Sequence, residues 1–417
     1  MRDDLPTLAA EAYGYGYPLL QDLQAVNTAT VFNAFTHQRS VPDTPNANPD
    51  MLYSTAQLDL SGGPLWLRVP DTGGRYHVVQ FIDAWTDNFA YVGSRTTRDE
   101  EREFLLVPPG WAGREAPAAE VIRVPTMIAT LIARFGAGPG VHALQDALAI
   151  ERMYPQIPLD GLPHPQAGIP DELVFLETLR RSLSAFPPSP AERRYQRRFE
   201  PLGLFDGGNS PYATMPRDQR NAIREGLERG REDLEEAATT DHAALVNGWT
   251  NDLHAFDYNL DYFEVGTVDA PQWTVPDRDT AHRRRAVAAR TSLWGNHAYE
   301  AVSPTVHKDS NGERLTGARA YTLHLNPPPP STAGWSLSVY DTATSRLFPT
   351  SSHASLGPGD LRPNEDGSIT IHLQHNETNA PNWLPTPEGE FHPVLRIYSP
   401  TDQYLRGDYQ LPALTPT

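Results

Sequence analysis

Apolar and polar residues alternate with two different periods along this 417-residue chain. From Leu5 to Asn27, residues Leu8, Ala12, Tyr15, Leu19 and Leu23 recur at three- and four-residue spacings, which predicts a helix. Pro18 is expected to kink or break it, because proline removes a backbone donor and clashes with the preceding turn. The turn-rich run Pro42 to Asp50 excludes helix and central strand. Strands are then predicted over Met51–Leu60, Leu65–Val69, Tyr76–Ile82, Phe89–Val92 and Glu103–Val107. Helical spacing returns from Val141 to about Tyr154, and again over Asp171–Phe186, Arg217–Ala238 and Asp279–Ala298. Beyond Tyr299 the period becomes two, in Ala320–Leu325, Trp335–Tyr340, Ser368–Leu373 and Val394–Tyr398, with turn residues between them.

This pattern predicts an α+β multi-domain chain: a mixed α/β N-terminal domain and a C-terminal all-β, jelly-roll-like sandwich. The expected divisions are residues 1–155, a mainly helical connection over 156–298, and 299–417. Gly14-Tyr15-Gly16 sits inside the first helical pattern and reads as packing rather than as a nucleotide loop.

Charge and composition narrow the chemistry. A net charge of −18 opposes nucleic-acid binding, since phosphate recognition needs a cationic surface. No apolar stretch is long enough to span a bilayer, and no N-terminal h-region stands out, so a cytoplasmic protein without a membrane partner is expected. Cysteine is absent, which removes disulfides, thiolate nucleophiles and cysteine-ligated metals. Lys308 is the single lysine, placed in a polar turn. No phosphate-binding glycine loop, nucleophile elbow or H-E-x-x-H pair occurs, so neither cofactor nor metal is expected. His372 and His375 lie three apart and would face opposite ways on a continuing strand.

What remains is a polar and aromatic region in the first hundred residues. Asn46, Asn48, Asp50 and Tyr53 lie within eight positions; Asp83, Trp85 and Asn88 follow an apolar strand, with Arg95 just after. A carboxylate against an aromatic wall is suited to proton transfer, because burial raises its pKa towards neutrality. Asp50 and Asp83 are therefore the candidate proton donors or acceptors. Tyr53 and Arg95 would stabilise developing charge, and Asn46, Asn48, Trp85 and Asn88 would hold the substrate. The competing reading is structural: such residues at strand ends also bond turn backbone. In the last strand, Arg396 lies opposite Leu395 and Ile397, a position that pairs across a sheet edge or a domain interface.

These residues also carry a resemblance. Pro45-Asn46 through Tyr53, and Tyr76 to Asp83 leading to Gly93-Ser94-Arg95, resemble the N-terminal part of a two-domain family catalogued as domains of unknown function 1254 and 1214. Gly317 to Leu325, Trp335 to Asp341, Asp366-Gly367-Ser368, Asn382 to Pro385, Phe391, Arg396, Tyr398 and Pro400 resemble the C-terminal part. The resemblance implies a two-domain architecture and assembly as a homo-oligomer, and carries no activity. Two places depart from the family pattern: Asp50-Met51 where Asp-Thr is usual, and Thr350 to His353 where an Asn-Arg-Tyr-like motif is usual. The expected function is cofactor-independent acid/base chemistry, of isomerase, lyase, cyclase or hydrolase type, on a small organic molecule. The alternative is a non-catalytic ligand-binding or oligomeric assembly protein.

Overall fold

The computed structural model describes residues 4–29, 31–113, 119–155, 161–240, 245–250, 252–348 and 355–417. Its first unit is built from two sheets. A five-stranded antiparallel sheet runs in the order Thr36–His37, Met51–Asp59, Ile128–Gly136, His77–Asp83, Asn88–Gly93. A four-stranded sheet, Glu120–Arg123, Arg102–Val107, Leu65–Val69, Ala149–Arg152, packs against one face of it. Leu52, Ala56 and Leu58, Val79 and Phe81, and Leu131, Ala133 and Phe135 point into that shared core. Period two then turns Tyr53, Val78 and Arg134 to the other face, where strand register sets them in one row. The central strand, Ile128–Gly136, is buried on both faces and reads as a nearly continuous apolar run, so alternation does not reveal it.

Four helices form a second layer: Leu5–Val26, Val174–Ala185, Arg217–Thr240 and Arg278–Thr291. The first belongs to this layer rather than to the sheets beside it in sequence, because Leu8, Ala12, Tyr15, Leu19 and Leu23 bury against Leu176, Leu179, Ile223 and Leu227. It runs through Pro18 without a break, and residues on both sides of the proline are buried. Glycine permits the close approaches. A Cβ at Gly16 would lie 2.5 Å from the Leu179 side chain, and one at Gly226 only 2.2 Å from the Pro6 carbonyl oxygen.

Two expected helices end early. The Val141 helix stops at Ala147, after which Ala149–Arg152 turns extended and pairs with Leu65–Val69. An open sheet edge claims those residues, and tertiary pairing overrides local spacing. The helix capped by Asp277 stops at Thr291, not Ala298. Ser292 to Asn296 instead form a loop between the two units, whose place is described below.

The C-terminal unit again has two sheets face to face, one of seven strands and one of four. Leu337, Leu395 and Ile397 meet Tyr321, Leu323, Ile371 and Leu373 in its core. Pairings are mostly antiparallel; Ile369–Gln374 with Trp383–Pro385 is parallel. His375 lies past its strand end and bonds the Thr386 carbonyl, and no metal-holding cluster occurs among the described residues. The Thr350 to His353 departure lies outside the described residues.

The glycine packing has a direct test. Gly226→Ala should cost on the order of 1–3 kcal/mol, as an overpacked site does, whereas Gly14→Ala, with open space at its Cβ, should gain up to about 1 kcal/mol of helix propensity. Urea unfolding of both variants checks this; equal effects would contradict the packing account.

Candidate functional site

The two sandwiches meet along the row set by Tyr53, Val78 and Arg134. From the C-terminal unit, Trp335–Asp341 and Phe391–Tyr398 pair with Ser336 opposite Arg396. Their inward residues fill the core, so Ser336, Ser338, Tyr340, Arg396 and Tyr398 are turned towards the first unit. Between the two faces lies a cavity of about 580 Å³. Asn46, Asn48, Tyr53, Tyr76 and Arg134 line it from one side, Arg396 and Tyr398 from the other, and Phe256 and the Trp294 to Asn296 loop close a third wall. A volume of this order suits a small organic ligand.

The segment from Asn46 to Asp50 hooks onto the second unit. The Asp50 carboxylate accepts hydrogen bonds from three hydroxyls: Ser336, Ser355 at 2.7 Å and Tyr398 at 2.9 Å. Asn48 adds its amide to the Tyr398 oxygen at 3.2 Å and caps the Asp50 backbone N–H at 2.9 Å. Arg396 donates to the Tyr340 hydroxyl at 2.7 Å and to Ser338. Burial opposes the Arg396 charge, but Tyr340, Tyr398 and Asp50 together raise its pKa. Burial first, then Asp50, holds the Tyr398 phenol well above its usual value, so it is a proton donor to Asp50.

Arg134 is held differently. Its Nη1 donates to Gln80 Oε1 at 2.7 Å and to Asn296 Oδ1 at 3.2 Å, and its guanidinium stands 5.3 Å from the Tyr53 ring centroid. Gln80 is wholly buried, and its amide nitrogen is spent on Asn88 Oδ1 and the Gly295 carbonyl, so its oxygen must face the arginine. Gly295 is required here, since a Cβ would fall 1.8 Å from the Phe256 ring.

The residues singled out from sequence separate into three places. Asn46, Asn48 and Tyr53 line the cavity, and Asp50 stands behind Tyr398. Asn88 and Arg95 support the walls. Asn88 donates to the Gly295 carbonyl at 2.9 Å, and Arg95 is tied to buried Glu300 and the Gly266 carbonyl while lying over Tyr299. Asp83 and Trp85 do not meet this group. Their strand is antiparallel to its neighbours, so they lie at the opposite end of the sheet, near Asp59. Asp83 accepts from the Trp85 and Asp87 backbone N–H groups at 2.9 Å each and so shapes the hairpin turn; Trp85 packs among the helices and donates to the Phe186 carbonyl.

Beneath that end lies a buried acidic cluster. Burial first, then Asp87, raises Asp83 well above the carboxylate range; Asp87, paired with Arg285 at 2.7 Å, is raised to about 6 by burial against the arginine's pull. Asp22, fully enclosed, accepts from Trp294 Nε1 at 2.8 Å, which links the cluster to the cavity wall. Burial lifts Asp22 to about 8.

Arg134, Tyr76 and Trp294 were not singled out from sequence; Arg396 and Tyr398 were, but not as catalytic or substrate-binding residues. Only Arg396 gave a usable signal, a charge opposite Leu395 and Ile397 in an otherwise apolar strand. Arg134 is the single charge in an apolar run, which marks it only once that run is known to be a strand.

Two family models match separate parts of the chain. Residues 26–152 match the family model described as protein of unknown function (DUF1254), and residues 300–402 match protein of unknown function (DUF1214). The VPA0106 protein from Vibrio parahaemolyticus has the same fold, with a TM-score of 0.76 at 22% identity over 99% of this chain and 100% of its own. An uncharacterized protein from Burkholderia cenocepacia gives 0.48 at 15% identity, over 97% of this chain and 88% of its own. No curated protein matches the sequence.

The Asp22 environment predicts a pH effect with a definite sign. The folded state keeps a proton that the unfolded state releases above the ordinary value of 3.8, so this group's contribution falls as pH rises towards about 8. Asp22→Asn, which keeps an acceptor for Trp294, should therefore gain stability over the parent by up to roughly 1.4 kcal/mol per pH unit across that window. Melting curves over pH would show it; a pH-independent difference would contradict the buried, protonated acid.

Proposed function

We propose, for a chain that joins a DUF1254 domain to a DUF1214 domain, cofactor-independent acid/base chemistry on a small organic molecule held between the two. The observation that carries this reading is the interdomain cavity lined both by a carboxylate-backed phenol, Tyr398 on Asp50, and by a second phenol, Tyr53 beside Arg134. In the step envisaged, Tyr398 takes a proton from the substrate while passing its own to Asp50. The negative charge left on the substrate is stabilised by the Arg134 guanidinium and the Tyr53 hydroxyl. Arg134 thereby takes the part expected for Arg95, whose charge is already spent on Glu300.

A second reading has its own support. Three hydroxyls already satisfy Asp50, as in a structural clamp, which favours a non-catalytic ligand-binding or oligomeric assembly protein with a jelly-roll-like second domain. The two readings separate in one experiment. Purified protein is incubated with an extracted metabolite pool and followed by mass spectrometry. The catalytic reading expects one metabolite to be converted, with Tyr398→Phe lowering the rate by roughly 10²-fold or more and leaving retention of the compound intact. Retention without conversion supports the binding protein. Neither retention nor conversion contradicts both the catalytic and the ligand-binding reading.

A further inference from the structure

The enclosed arginines of this protein mostly have carboxylate partners. Arg95 pairs with Glu300, Arg180 with Glu177, Arg278 with Glu192 and Asp261, and Arg285 with Asp87. Arg396 has no direct carboxylate, but Asp50 supports its charge through Tyr398. Arg134, like the half-buried Arg75 and Arg181, makes no ion pair among the described residues, but of these three it alone lines the interdomain cavity. The charge of buried Glu300 acts on it. No carboxylate of the described residues lies within ion-pair distance of Arg134, and both of its side-chain hydrogen bonds go to neutral amides through Nη1 alone. Its Nε and Nη2 are neither bonded nor sealed from the cavity.

The surroundings keep the arginine in that state. Gln80 is oriented by its own two donor bonds, so it presents an oxygen and no charge. Asn296 does the same from the loop that closes the cavity. Tyr53 lies beside the guanidinium, which leaves the Nε–Nη2 edge as the one directed at a ligand. That edge is the planar two-donor fork that suits a carboxylate. The cavity adds neither a lysine nor a second uncompensated arginine, and Asp252 stands among its lining residues, so a multiply charged phosphate would be poorly matched. Tyr76, Phe256 and Trp294 add aromatic side chains to the cavity lining.

We propose that the ligand of this cavity is a small aromatic monocarboxylate, its carboxylate seated on the Nε–Nη2 edge of Arg134 and its ring against Tyr76, Phe256 and Trp294. This deepens the reading of the cavity as the functional site and rests on it.

Titration calorimetry on the wild-type protein, with benzoate and 3-phenylpropanoate set against benzamide and 3-phenylpropanamide, provides the test, with inorganic phosphate as a further probe. The expected result is binding of the acids with at least roughly tenfold preference over the matched amides, as a charge-assisted hydrogen-bond pair should give. Arg134→Gln should abolish that preference while leaving weak amide binding unchanged. Equal binding of acid and amide, preference retained in Arg134→Gln, tighter binding of inorganic phosphate, or no binding of either acid at millimolar concentration would each overturn the proposal. Because no variant is needed for the acid–amide comparison, misfolding of Arg134→Gln does not leave it open. Failure of the acid/base reading looks different: the acids bind and nothing is converted.

Discussion

The three hydroxyl bonds to Asp50 are the constraint on which the rest of this structure depends. A half-buried carboxylate at the head of a strand has to be satisfied, and here every side-chain donor that does so comes from the other sandwich. Asp50 immediately precedes the Met51–Asp59 strand, so anchoring it fixes that strand's end against Trp335–Asp341 and Phe391–Tyr398. Tyr53 then follows three residues later, in register with Arg134, and Tyr398 is both the anchor's donor and a wall of the cavity. The cavity is therefore a consequence of how the two sandwiches are joined, and neither sandwich would form it alone.

Electrostatics sharpens the contrast between the two ends of the five-stranded sheet. At the Asp83 end, acids are driven towards their neutral forms by burial, Asp22 most plainly, and Arg285 is matched to Asp87. That end is closed and structural. At the other end, an arginine is hydrogen-bonded by neutral amides and opens onto a cavity. A half-buried guanidinium that makes no ion pair leaves its donors open to a ligand carboxylate. Trp294 joins the two ends, since its ring lines the cavity while its indole N–H is held by Asp22.

Much of the architecture was legible because one face of most strands meets a core, and alternation records that. Leu65–Val69 and the four strands expected in the C-terminal unit appear within a few residues of their expected places, while the short strands beside them were not foreseen. The Ile128–Gly136 strand was not legible, since burial on both faces erases the period, and with it went the identification of Arg134. The candidate site was partly legible. Asn46, Asn48, Asp50 and Tyr53 do gather at the interface, and Arg95 reaches the same end of the sheet because the hairpin turns back. Asp83 and Trp85 sit at the far end of that hairpin, for closeness in sequence does not say which end of a sheet a strand's last residue occupies. Arg396 shows the converse: its face was readable, but its hydrogen bonds go to Ser338 and Tyr340 on the neighbouring strand of its own sheet.

The claim at the centre of this account is that the Asp50–Tyr398 bond couples the two sandwiches. A double-mutant cycle of Asp50→Asn and Tyr398→Phe, read by urea unfolding, measures that coupling directly. The account predicts that the two single losses together exceed the loss in the double variant, with an interaction energy on the order of 1 kcal/mol or more. Strict additivity of the two substitutions would show that the residues act independently, and would contradict it.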